Sequence, residues 1–253
     1  MFRTRPLLTH TLLTLSLISG AALAQETTVG VGLGFAPKYE GSTHYGARFS
    51  PMLKHRNGHL FLGPRSGMPA AGVQTDINEH WTVGTFVSLS QRRRASDSSR
   101  LRGMDDIQRH GNLGVFTAFK LGDAQLDASY YQALKSGYGA NITADLSYKL
   151  WQAGSSQLRV GTELKWSNEK AMDTYFGVRA QEAAASGGRL PTYKASAGLR
   201  SYAIYGLATH QLNNSWHVHG LLGINNLSGD AKDSPIVEKK SSVFGGVGLG
   251  YSF

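Results

Sequence analysis

His217 and His219 stand two residues apart, a spacing that puts both imidazoles on one face of a strand, where they would supply part of a metal site. No carboxylate or third histidine stands at a readable spacing from them, so the pair predicts no metal centre. The sequence has no G-x-S-x-G elbow, no H-E-x-x-H pair and no P-loop. Gly30-Val31-Gly32-Leu33-Gly34 has the glycine density of a phosphate cradle, but it lacks the x-x-G spacing and runs into Pro37 instead of a helix. It reads as a strand with one glycine face. With no cysteine, thiolate ligands, thiol nucleophiles and disulfides are all absent. No catalytic set and no cofactor are expected.

The charges that remain are mostly basic, and their usual chemistry is anion binding. The formal net charge of +9 includes Arg3 and Arg5, which precede an apolar run from Leu7 to Leu23 ending in Ala22-Leu23-Ala24. That order is a secretory signal with an A-x-A cleavage site, so 1–24 is expected to be removed and 25–253 to form one domain. The apolar run is short and broken by Thr and Ser, which argues against a retained anchor. Export makes nucleic acid an improbable partner for a basic chain. Phosphates of lipopolysaccharide and other outer-membrane lipid are the expected one.

The elements that position these residues must be strands. After the signal, no stretch approaches the about 20 apolar residues that a spanning helix needs, whereas apolar and polar residues alternate repeatedly. Val29, Val31, Leu33 and Phe35 alternate with glycines and Ala36, and Leu158, Val160, Thr162, Leu164 and Trp166 alternate with Arg159, Gly161, Glu163 and Lys165. The segments 138–150 and 216–226 repeat the pattern. A wall with lipid on one side and a polar interior on the other reads this way.

Candidate strands fall at 27–36, 46–55, 59–67, 68–76, 80–92, 111–121, 124–134, 138–150, 156–167, 198–212, 216–226 and 242–253. The expected fold is all-β: a closed antiparallel transmembrane β-barrel of twelve strands. If 59–76 is one bent strand, the count becomes ten. Asn57-Gly58, Gly122-Asp123 and Asn213-Asn214 predict tight periplasmic turns, whereas 91–110, 168–197 and 227–241 predict longer outer loops. Trp81, Tyr138, Trp151, Trp166, Tyr202 and Trp216 are candidate girdle residues at the membrane interfaces. Val243 to Phe253 alternates and closes on an aromatic, similar to the C-terminal assembly signal of outer-membrane barrels.

Such a barrel turns Arg48, Lys54, Lys120, Asp127, Asp145, Lys149, Arg159, Glu163, Lys165, His217 and His219 inward. Both signs are present, which predicts a salt-bridged interior or, as the sharper reading, a narrow selective pore. Arg92 to Arg94, Arg100, Arg102, Arg109 and Lys135 make the outer rim basic, as a solvated face or as contacts for lipopolysaccharide phosphates.

Four segments are more specific than composition: Pro37-Lys38-Tyr39-Glu40-Gly41-Ser42; Leu101 to Ile107, with Asp105 and Asp106; Asp173-Thr174-Tyr175-Phe176-Gly177-Val178 followed by Ala183 to Gly187; and Gly229-Asp230-Ala231-Lys232-Asp233-Ser234-Pro235-Ile236-Val237. With the closing Gly250-Tyr251-Ser252-Phe253, they resemble the MltA-interacting protein (MipA/OmpV) family over nearly the whole mature chain. The second segment departs from the family pattern at Met104-Asp105.

The resemblance implies a non-catalytic outer-membrane scaffold that brings a murein lytic transglycosylase together with a penicillin-binding peptidoglycan synthase. Members are also described as antigens and as proteins linked to osmotic or antibiotic response. A small pore or transporter is the alternative, and an outer-membrane lipid hydrolase, suggested by serine and histidine abundance, is a third reading. The candidate residues Tyr39, Glu40, Asp105, Asp106, Asp173, Tyr175, Asp230, Asp233 and Ser234 fall at the outer-loop ends, while murein enzymes work on the periplasmic side. The favoured resolution is that these loops fold inward and pair with Arg and Lys of the interior. The other is that they serve a surface task while the short turns bind partners.

Overall fold

The computed structural model describes residues 26–253, so the expected signal peptide lies outside them. Twelve strands form one closed barrel in which every strand is antiparallel to its neighbours. They are β1 (Glu26–Pro37), β2 (Tyr45–Asn57), β3 (Leu60–Arg65), β4 (Met68–Asp76), β5 (Trp81–Leu89), β6 (Gly111–Leu121), β7 (Ala124–Ala133), β8 (Ala140–Ala153), β9 (Ser156–Ser167), β10 (Gly198–Gln211), β11 (Trp216–Leu227) and β12 (Ser241–Ser252). The stretch 59–76 is two strands: Ser66 and Gly67 both take positive φ (47° and 72°), and the chain reverses there. No described helix is long and apolar enough to cross a membrane.

The alternation does what hydrocarbon demands of it. Val31, Leu33, Ile204, Leu222 and Val247 stand exposed on the outer wall, and the backbone pairs around the ring. Connections at one end are the short 58–59, 122–123 and 154–155, and at the other the long 90–110, 168–197 and 228–240. The long ones carry two 3₁₀ turns, Ala95–Asp97 and Ser99–Leu101, and the helices α1 (Glu169–Phe176), α2 (Ala180–Ala185) and α3 (Gly229–Asp233).

The inner face is uneven around the barrel. Gly30, Gly32 and Gly34 pair directly with Gly250, Gly248 and Gly246 across the β1–β12 seam. The His219 and His217 rings lie over Gly248 and Gly250, where an added Cβ would come within 2.3 Å of each Nε2. The opposite side is packed: Phe86, Phe116, Tyr131, Met68 and Ala70 form a buried cluster joined by Phe61. The Arg65 guanidinium sits 3.6 Å above the Phe116 ring and 2.9 Å from the Asp127 carboxylate. Ser66 then reaches across the lumen to Thr143 on β8, at 2.8 Å between hydroxyls.

Candidate functional site

The four motif segments meet over the mouth at the long-loop end. Tyr39, Leu101, Met104, Val178, Leu190 and Ile236, one or two from each of four of the six outer connections, form one buried cluster. Met172, Phe176, Ala195, Leu227 and Ala231 form a second cluster beside it. Loops become a packed cap here because each contributes a few apolar side chains that could not be buried alone.

The first connection supplies Tyr39 and Glu40. Tyr39 Oη lies 2.9 Å from both the Ile236 carbonyl and the Glu238 carboxylate, which share its one hydroxyl proton. Burial, then the neighbouring Glu238 charge, pushes the phenol pKa up. Gly41 holds φ at +94° with Val237 so close that a Cβ would lie 2.8 Å from its Cγ2, and the amides of Glu238 and Lys239 donate to the Gly41 carbonyl. Only glycine fits that turn.

Glu40 points into the barrel. Its carboxylate meets Arg200 Nε of β10 at 2.6 Å and Lys165 Nζ of β9 at 3.7 Å. Burial alone would raise the Glu40 pKa, but Arg200 and then Lys165 outweigh it and hold the carboxyl below its ordinary range. Arg200 also lies 4.3 Å over the Tyr175 ring and 5.1 Å over Phe176. Sequence alternation places Arg200 outward with Tyr202 and Ile204. The register shifts between Leu199 and Ser201, however, so Leu199 goes out at 37% exposure and Arg200 goes in at 4%.

The other motif residues have more local partners. Asp105 accepts from Arg179, whose guanidinium also holds Glu182 at 3.0 Å, and Glu182 takes the Asp105 amide at 2.9 Å. Burial would raise the Glu182 pKa, but Arg179 and two backbone amides bring it down. Asp106 accepts the Ala95 amide at 2.7 Å. The Asp173 carbonyl caps α1 by accepting from Gly177, and the Tyr175 carbonyl accepts from Arg93 at 2.8 Å. Asp230 takes the Ser196 amide through its side chain and the Tyr193 hydroxyl through its carbonyl, both at 2.8 Å. Ser234 Oγ donates to the Phe176 carbonyl. Asp233 pairs with Lys240 at 3.1 Å on the exposed surface and reaches no inward cation.

Three further residues organise the cap. Glu238 gathers Tyr39, the Thr43 amide and Ser98 on one carboxylate oxygen. Burial would raise its pKa, and these donors together with His44 lower it instead. Arg93, expected among the rim cations, is 6% exposed and ties the Tyr175 and Asp105 carbonyls together. Arg100, also expected at the rim, donates to the Pro235 carbonyl at 2.7 Å. Gly103 (φ +93°) lets this connection touch the Ser186 backbone, where a Cβ would lie 2.5 Å from the amide nitrogen.

The family model described as MltA-interacting protein MipA matches residues 29–253. A comparison with curated proteins returns no match. Among solved structures, the chain is similar to a KdgM porin in complex with disordered oligogalacturonate, at 12% identity, 90% of this chain, 99% of that one and TM-score 0.47. It is also similar to the translocator domain of the autotransporter NalP from Neisseria meningitidis, at 12% identity, 93% and 90% coverage and TM-score 0.44. A third is OmpT of Vibrio cholerae in its loop L8 deletion form, at 9% identity, 91% and 98% coverage and TM-score 0.38.

Proposed function

This chain belongs to the MltA-interacting protein family, and we propose that it is a capped outer-membrane scaffold that holds a murein lytic transglycosylase beside a penicillin-binding peptidoglycan synthase. The family match over 29–253 carries this reading. The cap supports it indirectly. Tyr39, Glu40, Asp105 and Ser234 spend their hydrogen bonds within the chain, so the surface left for an enzyme working on murein is the opposite end. That end presents the turns 58–59, 77–80, 122–123, 154–155 and 212–215.

The test is co-purification of the detergent-extracted barrel with each periplasmic enzyme. Retention of both is expected, with loss on charge reversal in the turns (Glu79→Lys, Asp123→Lys) and no loss for Asp106→Ala in the cap. A folded barrel that retains neither enzyme overturns the scaffold reading.

One observation favours a second reading, a small cation-selective pore. Asp127, Asp145 and Glu163 stand directly side by side on β7, β8 and β9. Like charges placed opposite each other destabilise a sheet, and in a lumen wall they attract cations. Single-channel conductance separates the readings, because a capped scaffold passes no current at neutral pH.

A further inference from the structure

β2 is paired along its full length on only one of its edges. Against β1 it makes twelve residue pairs, from Glu26↔Arg56 to Pro37↔Tyr45, but against β3 it makes three, His55↔Leu62 to Asn57↔Leu60. β3 is six residues long, where a strand crossing the hydrocarbon needs about nine to eleven. From Tyr45 to Leu53, on the cap side of the membrane, the edge of β2 facing β3 therefore has no paired strand residue among the described residues.

Proline marks the same place. Pro51 lies mid-way along that stretch of β2, and Pro64 of β3 stands opposite Pro69 of β4. Proline has no N–H to give to a ladder, so it belongs at an edge. Acyl chains alone cannot cover such an edge, since each unsatisfied amide or carbonyl in hydrocarbon costs several kcal/mol.

Two cations stand beside the gap. Arg48, on the inner face of β2, is held by the Pro37 and Lys38 carbonyls at 3.2 and 3.4 Å, and the Lys38 stem passes over Gly46. The nearby Glu40 carboxylate is taken by Lys165 and Arg200 instead. On the outer face, Phe49 (67% exposed) and Leu53 of β2 face the bilayer, as does Leu62 of β3. An apolar outer surface, an unpaired polar edge and two cations thus follow one another from bilayer to lumen.

We propose that the β2–β3 gap is a lateral binding site for a phosphorylated, acylated lipid of the outer leaflet, with lipid A as its chemical type. Its chains lie along Phe49, Leu53 and Leu62. Its phosphate and hydroxyl oxygens accept from the free β2 amides, Arg48 and Lys38. The proposal is independent of the scaffold reading.

The test uses the full mature chain in nanodiscs. In discs of phosphatidylcholine alone, the amides of 45–53 that face β3 are expected to exchange with deuterium faster than those of β1 and β12, and added lipid A slows them. Native mass spectrometry of the same discs with lipid A should show retained lipid. Arg48→Gln with Lys38→Gln should lower that retention about tenfold or more, the effect of losing charge-assisted contacts, while Arg92→Gln with Arg109→Gln on the rim leaves it unchanged. Full protection of these 45–53 amides without lipid A overturns the proposal: as a dimer it assigns the edge to a second copy, and as a monomer it shows a sealed wall. Equal loss of retention in the rim variant reduces the effect to general rim charge and overturns it too.

Discussion

Arg200 has exchanged water for two aromatic faces and one carboxylate, and the carboxylate is Glu40. Removing one member of a buried pair leaves the other charged and unpaired, which costs about 3–5 kcal/mol when both are fully buried. Glu40 keeps 34% of its side-chain surface, so Glu40→Ala is expected to cost about 2 kcal/mol once solvent screening is allowed for. Asp233→Ala removes only an exposed pair with Lys240 and should change stability by about 0.5 kcal/mol or less. Thermal melting of the two variants checks this, and an equal loss in both would deny that Glu40 is the deeper contact. The sequence singled out Glu40 through its motif. Alternation does not single out Arg200, because a one-residue bulge inverts the inward–outward phase of β10 there.

At the scale of elements, four connections with no regular core of their own become one folded unit held by a few carboxylates. Glu40, Glu182 and Glu238 all have pKa values below the ordinary range, because their partners outweigh the burial that would raise them. A carboxyl with a lower pKa folded than unfolded stabilises the fold fully above its unfolded value, about 4.3 for Glu. That stabilisation is lost as pH falls through the lower folded value. The cap should therefore loosen in acid below the ordinary carboxylate range while the strands, held by their ladders, stay paired. Protease cleavage within 168–197 is expected to quicken below about pH 4, with the β circular dichroism signal unchanged. Gly103→Ala should quicken it at neutral pH, since φ of +93° and a Cβ 2.5 Å from the Ser186 amide strain the joint between two connections. Strand alternation and loop lengths made the barrel legible in advance. The shortness of β3 was not, although Pro51, Pro64 and Pro69 carried its trace in positions that suit strand edges.

For the molecule as a whole, two barriers lie along the barrel axis. The outer one is the cap, tied to the wall by Glu40 with Arg200 and Lys165. The inner one is the β3–β4 turn, which Arg65 and Ser66 tie to Asp127 on β7 and Thr143 on β8 across the lumen. Beside it, the Phe61, Phe86 and Phe116 cluster packs one side of the interior, while on the other side the glycine faces of β1 and β12 lie under His217, His219 and Met52. Barriers in series mean that releasing one alone admits little current. In planar bilayers, the wild-type barrel should be silent at neutral pH, and Glu40→Ala and Arg65→Ala should each remain nearly so. The double variant should conduct, and its current should favour cations because opening the path exposes the Asp127, Asp145 and Glu163 row. Full conductance in Glu40→Ala alone would make the cap the sole barrier and reduce the inner turn to wall packing. A silent double variant would mean that the remaining half of the lumen is itself too narrow for a hydrated ion.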